Sequence, residues 1–221
     1  MIHIDSNELQ KLYIAYFGRP GDPSGIKYWL SRSDESFTLK EISHELSIQD
    51  EYRDNIANDK LDEFKINKLY LNLFNRKADF GGLNYWIKMI NEHDYKISDI
   101  VHTLLHSNHK PYLININQEE QDLIILKNKT FAAEMFTEKI SSSISLINLY
   151  KPDSISPWIS GDSFVKVSNF MSNINDKKIS INEIDDLVNS LHDSSVNMLI
   201  HPAIEIQDIT VSIPVYSLEN R

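Results

Sequence analysis

The chain has 221 residues, enough for one large domain or two small ones, each with its own core. Its 22 basic residues against 32 acidic ones give a net charge of −10, which argues against duplex DNA or RNA as a partner, since phosphate binding needs a dense basic face. Cysteine is absent, so disulfides, thiolate zinc sites and a cysteine nucleophile are excluded, and 41% hydrophobic with 24% charged residues indicates a folded, soluble chain.

The first segment, MIHIDSNELQ, has neither the basic start nor the apolar run of a cleaved secretory signal, and no apolar stretch approaches the roughly 20 residues that span a bilayer. Leu9, Leu12, Tyr13, Tyr16 and Phe17 then follow the spacing of a helix with one buried face. Gly18 suits the left-handed position just past its end. Asp22 followed by Pro23 has the chemistry of an N-cap and a first helical residue, opening a second helix through Tyr28, Trp29 and Leu30. A third helix is expected over about Leu39 to Tyr52.

The same order then returns. LYIAYFGRPGDPSGIKYW (Leu12 to Trp29) aligns without a gap on LYLNLFNRKADFGGLNYW (Leu69 to Trp86), 57 residues later, with eight identities in eighteen positions. Ile66, Leu69, Tyr70, Leu73 and Phe74 repeat the first helix, Asn75 stands in for Gly18, and Asp79 caps the second helix. The segment ISDIVHTL repeats LKEISHEL one residue further on, within a third helix expected over Ile97 to His106. Two tandem three-helix repeats follow, residues 1–58 and 59–116.

Residues Tyr112 to Gln121 are polar and read as a link to a C-terminal helical part, residues 117–195. A long helix over Glu119 to Ile140 has Leu123, Leu126, Phe131, Met135 and Phe136 as its apolar positions. Ser141 to Ser145 and KPDSISPWISGDS are rich in turn formers. Two further helices are expected near Phe164 to Ile174 and Ile181 to Leu191, the second opened by Ser180 and Glu183 at capping-box spacing. In the tail, residues 196–221, IEIQDITVSIPVYSL alternates apolar and polar residues as a strand does, and a lone strand needs a partner this chain does not supply. The expected fold class is therefore all-α, a superhelical array of short helices with a short β or extended tail.

Catalytic constellations are scarce, with no phosphate loop, nucleophile elbow or H-E-x-x-H motif. His102, His106 and His109 fall at i, i+4 and i+7, but Asn108 and Pro111 end the helix there, so no metal site is expected. The loop GRPGDPSG has one carboxylate where an EF-hand supplies several. Adjacent acids such as Asp185 and Asp186 diverge on a helix and do not form a glycosidase pair. Arg19 and Arg76, three residues before the capping aspartates Asp22 and Asp79, fit a structural role of pinning the turn. Tyr28–Trp29 and Tyr85–Trp86, at one helical phase in both copies, fit a core role.

The pattern LY-x3-FGR-x2-D-x2-G-x2-YW, a following helix, and the S-x4-Y endings Ser47 to Tyr52 and Ser107 to Tyr112 resemble the bacterial family called domain of unknown function 4214 over about residues 6 to 113. Leu126 to Ile140 is also similar to the N-K-x3-A-x2-F/Y helix that follows such paired repeats. Asn75 for glycine and Pro111 for an acidic residue depart from the pattern. The resemblance implies a non-enzymatic N-terminal domain of a surface-layer or adhesin-type protein, exported without a cleaved signal peptide. Such a domain binds lipopolysaccharide O-antigen or another surface polysaccharide through a groove between the repeats, and it is compatible with self-assembly into a lattice. Without the export repeats such proteins carry, a chain complete as it stands would remain in the cytoplasm. The nominees for sugar contact are Tyr16, Arg19, Tyr28, Trp29, Arg76, Tyr85 and Trp86, with calcium left open as a cofactor. The alternatives are a protein–protein module, by analogy with phycobilisome linkers, and an accessory domain of a polysaccharide-modifying enzyme.

Overall fold

Asp5 opens helix α1 (Ser6–Phe17) by accepting a hydrogen bond from the Glu8 amide at 2.9 Å, and Gly18 closes it in the left-handed region at φ 66°. The computed structural model describes residues 4–34, 37–58, 60–106, 116–150 and 161–198. Among these every regular element is a helix, and the expected all-α class holds. The strand-like tail, the S-x4-Y ending of the second copy, His109 and residues 151–160 lie outside the described residues.

Helix α2 (Pro23–Asp34) is capped by Asp22, whose Oδ1 accepts from the Gly25 amide at 2.8 Å. The second copy repeats each device. Asn75 closes α5 (Asp62–Phe74) at φ 57°, and Asp79 caps α6 (Phe80–His93) by accepting from the Gly82 amide at 2.7 Å. The Gly21 amide bonds the Gln10 side chain at 2.8 Å, and the Ala78 amide bonds the Asn67 side chain at 3.1 Å, again 57 residues apart. Gly25 is required by crowding, because a Cβ there would lie 2.2 Å from the Tyr13 hydroxyl.

The third helix departs from expectation. α3 (Leu39–Ser47) carries a Thr38–Glu41 capping box but stops at Ser47, and Gln49 is extended at ψ 145°. The short α4 (Asp50–Tyr52) and a π-helical turn (Arg53–Ala57) follow. The break turns Glu51 toward Arg19 and sets Tyr52 edge-on to Tyr16, ring centroids 5.2 Å apart. α7 (Ile97–His106) closes the second copy as expected.

Corresponding helices of the two copies pack on each other, α1 against α5 and α3 against α7. Asn72 donates to the carbonyl of Ala15, its own counterpart 57 residues earlier, at 2.9 Å. Contact between equivalents is the mark of an approximate two-fold relation. The C-terminal part supplies α8 (Ile116–Ser141), which lies against both α1 and α5. α8 begins inside the stretch read as a polar link. α1 is consequently buried on most sides rather than on one face, with Gln10, Ile14 and Ala15 all at 0% exposure. Gln10 donates to Thr137 on α8 at 2.8 Å, and Thr137 donates to the Gly21 carbonyl at 2.8 Å, so no polar atom in that trio is stranded.

The remaining helices are α9 (Ile144–Leu149), in a stretch read as turn, α10 (Asp162–Asn173) and α11 (Ile181–Met198), which runs past the expected end at Leu191. One apolar cluster runs from Leu9 to Leu191 through both copies and the C-terminal part. Lys129 on α8 is buried and donates to the Asn72 carbonyl and the Asn75 side chain, both at 2.5 Å; Asn75 also donates to the Ile174 carbonyl. Asparagine therefore does at this helix end what glycine cannot, joining α5, α8 and α10. Burial, with Lys68 near, pushes the Lys129 amine down to about 7.

The repeated arginines each fork onto one carboxylate. Arg19 is 2% exposed and forks onto Glu51, Nε at 2.7 Å and Nη2 at 2.6 Å, while Nη1 donates to the Pro20 carbonyl. Arg76 makes the same fork onto Asp122 of α8, at 2.8 and 2.7 Å, with Nη1 on the Lys77 carbonyl. Burial works against the Arg19 charge, but Glu51 outweighs it and holds the guanidinium protonated. Removing one member of a buried pair leaves the other charge uncompensated. Arg19→Met is expected to cost about 3–5 kcal/mol in urea unfolding. The Arg76 side chain is 19% exposed, and Arg76→Met is expected to cost distinctly less; equal losses would contradict the ranking by burial.

Candidate functional site

The seven residues nominated for sugar contact are not brought together. Tyr16 is at 0% exposure with its hydroxyl 2.8 Å from that of Ser43. Trp86 is equally buried and donates to the Tyr70 hydroxyl at 3.0 Å; Trp29 is buried with Tyr13 as its side-chain partner. Arg19 and Arg76 are engaged in their carboxylate forks. Tyr28 keeps an exposed ring packed edge-on against Trp29, and Tyr85, half-buried, does the same against Trp86. The capping roles of Asp22 and Asp79 are those read from the sequence.

A cleft of about 390 Å³ does lie between the copies. The first copy contributes the end of α3 (His44, Ser47, Ile48), Tyr52 of α4 and Ala57 of the π-helical turn. The second contributes Asp62 and Lys65 from α5, Ile90 from α6, and Asp94, Tyr95, Lys96 and Ile97 from the α6–α7 junction. Backbone geometry positions this wall. Asp94 takes the left-handed conformation at φ 57° that ends α6, and the Lys96 amide donates to Asp99 at 2.9 Å, starting α7. The Lys40–Asp99 pair at 2.7 Å ties α3 to α7 alongside.

Inside the cleft the charges are already matched. Lys65 binds Asp62 at 2.9 Å and Lys96 binds Asp94 at 2.8 Å. Tyr52, 2% exposed, stands apart as a buried polar group of the lining: its hydroxyl has no hydrogen-bond partner among the described residues. Burial raises the pKa of this phenol and nearby Asp62 raises it further, so it stays a neutral donor. Sequence reasoning had Tyr52 only as the end of a motif, and His44, Asp62, Lys65 and Tyr95 carried no signal, because they meet only when the copies pack.

Two larger clefts flank α8. One of about 640 Å³ lies between α2 and α8 over Ile26, Leu30, Phe131 and Met135, and one of about 480 Å³ lies between α8 and α11. Their floors are apolar and their charged groups include the Lys139–Asp185 pair at 2.5 Å. Among the described residues no group of three histidines or carboxylates is placed to hold a metal ion, and no helix is long and apolar enough to cross a membrane.

His106 lies with its Nε2 3.4 Å from Glu8 and its ring 5.0 Å from that of His102. Burial lowers its pKa; Glu8 opposes the shift, and His102 and Lys11 add to it. A base whose folded-state pKa is depressed contributes stability above its unfolded pKa, which is lost as pH falls through the folded value. Unfolding free energy is expected to fall on acidification below about 6.5, ahead of the carboxylate range. His106→Gln should flatten that part of a denaturation-versus-pH series, and an unchanged slope would contradict the assignment.

Residues 43–110 match the family described as domain of unknown function (DUF4214). That stretch runs from within α3 through α7, narrower than residues 6–113, and it contains every residue lining the inter-copy cleft. No curated protein and no solved structure is matched by the chain.

Proposed function

We propose that this chain is a non-enzymatic anchoring domain that binds lipopolysaccharide O-antigen or another surface polysaccharide and holds a larger surface-layer or adhesin-type protein at the cell surface. The observation that carries the reading is the cleft between the copies. It combines an aromatic ring, Tyr95, with short polar and planar side chains, His44, Ser47 and Asp62, which is the mixture a sugar needs for its apolar face and its hydroxyls. The match over residues 43–110, which includes this cleft, supports the same reading through the family resemblance.

A protein partner is the second reading. Phe80, at 84% exposure at the start of α6, is favourable to it as a large apolar side chain open to a partner.

Co-sedimentation of the purified chain with lipopolysaccharide, with and without calcium, separates the two. Retention on smooth but not on O-chain-deficient lipopolysaccharide is expected, with Tyr95→Ala reducing the pelleted fraction severalfold and Phe80→Ala leaving it unchanged. Absence of retention on either preparation, in either calcium condition, would overturn the anchoring reading.

A further inference from the structure

The inter-copy cleft constrains the chemistry of its ligand more closely than its shape does. A buried polar group without a partner costs free energy, and in native proteins it marks a place where something else completes the bond. The Tyr52 hydroxyl is such a group, and Tyr52 is one of the residues that line the cleft. Glu8 and His106, whose facing atoms also lack a hydrogen bond, lie 3.4 Å from one another and line none of the three clefts described above. The π-helical turn Arg53–Ala57 begins directly after Tyr52, its Asn58 amide reaching the Arg53 carbonyl at 2.7 Å. Such turns are enriched at functional sites because they displace a side chain from its helical register.

Charge decides the rest. An anionic ligand, a phosphate or a uronate, is bound by unpaired cations and above all by arginine forks. No arginine lines this cleft, and both lysines are held by aspartates. A cationic ligand fares no better, since the same aspartates are taken.

We infer that the cleft between the two copies binds an uncharged sugar unit, whose ring or hydroxyl oxygen accepts a hydrogen bond from the otherwise unpartnered Tyr52 hydroxyl while Tyr95 lies against the ring. The inference rests on the polysaccharide reading and narrows it to neutral residues of the chain, away from phosphorylated inner sugars. At about 390 Å³ the space matches roughly one or two sugar rings, at the small end of ligand sites.

Tyr52→Phe tests it. The substitution removes only the hydroxyl, so without ligand the thermal midpoint is expected to stay level or rise, because a stranded donor is lost. Binding of acid-released O-polysaccharide, followed by titration calorimetry, is expected to weaken about tenfold. For the native chain, affinity is expected to change little between about 50 and 500 mM NaCl, as suits an uncharged ligand. In parallel, neutral disaccharides and glucuronic acid are screened by saturation-transfer NMR, with signal expected from the neutral sugars only and lost in Tyr52→Phe. Native binding of polysaccharide with undiminished binding by Tyr52→Phe would overturn the site and leave the anchoring reading standing. Disaccharide signal through Tyr52 without polysaccharide binding would do the reverse. Silence in both assays would overturn both, and a steep salt dependence or a response to glucuronic acid would overturn the neutral ligand.

Discussion

A guanidinium taken out of water has to be met by a carboxylate, and much of this molecule follows from where that carboxylate comes from. Each copy places an arginine just after its first helix, among aromatic rings: Arg19 lies 4.2 Å from the Phe164 ring centroid, and Arg76 lies 5.2 Å from that of Tyr70. In the first copy the partner is Glu51, from α4 of the same copy. In the second copy the partner is Asp122, from α8. The second arginine thereby draws the C-terminal part into the fold. Pro111, where the pattern carries an acidic residue in the S-x4-Y ending, is the sequence trace of that exchange.

The first fork has a further consequence. Glu51 precedes Tyr52, so anchoring the carboxylate sets the phenol beneath the inter-copy cleft, against Tyr16. The helix break at Gln49 and the π-helical turn after Tyr52 accommodate that pull on either side. A structural ion pair in one copy and the polar floor of a cleft shared by both are thus one arrangement. The aromatic and arginine signature of the repeat builds the scaffold, and the less distinctive residues of α3, α5 and the α6–α7 junction face the opening.

Much of the local structure was legible in the sequence. Gly18 and Asn75 at left-handed helix ends, Asp22 and Asp79 as caps, and Ser180 with Glu183 as a capping box are decided by neighbours within a few residues, and the structure has them as read. The structural role of Arg19 and Arg76 was legible as well, though their partners lie 32 and 46 residues away and were not. The start of α8 at Ile116 and the helix Ile144–Leu149 ran against local polar and turn signals, because packing on α1, α5 and α11 outweighs propensity, whereas α3 ends at Ser47 within a stretch whose periodicity continued to Tyr52.

By itself the sequence determined the helical class, the repeat at an interval of 57 residues and the means by which each helix starts and stops, since hydrophobic period and capping chemistry act over one or two turns. Only the tertiary structure decided which repeated residues are core and which are surface. Tyr16 is enclosed with Ser43 and Tyr52 and Trp86 with Tyr70, while Tyr52 of the first copy and Tyr95 of the second line one cleft although 43 residues apart in sequence. Burial and juxtaposition depend on contacts between distant segments, and no window along the chain contains both sides of such a contact.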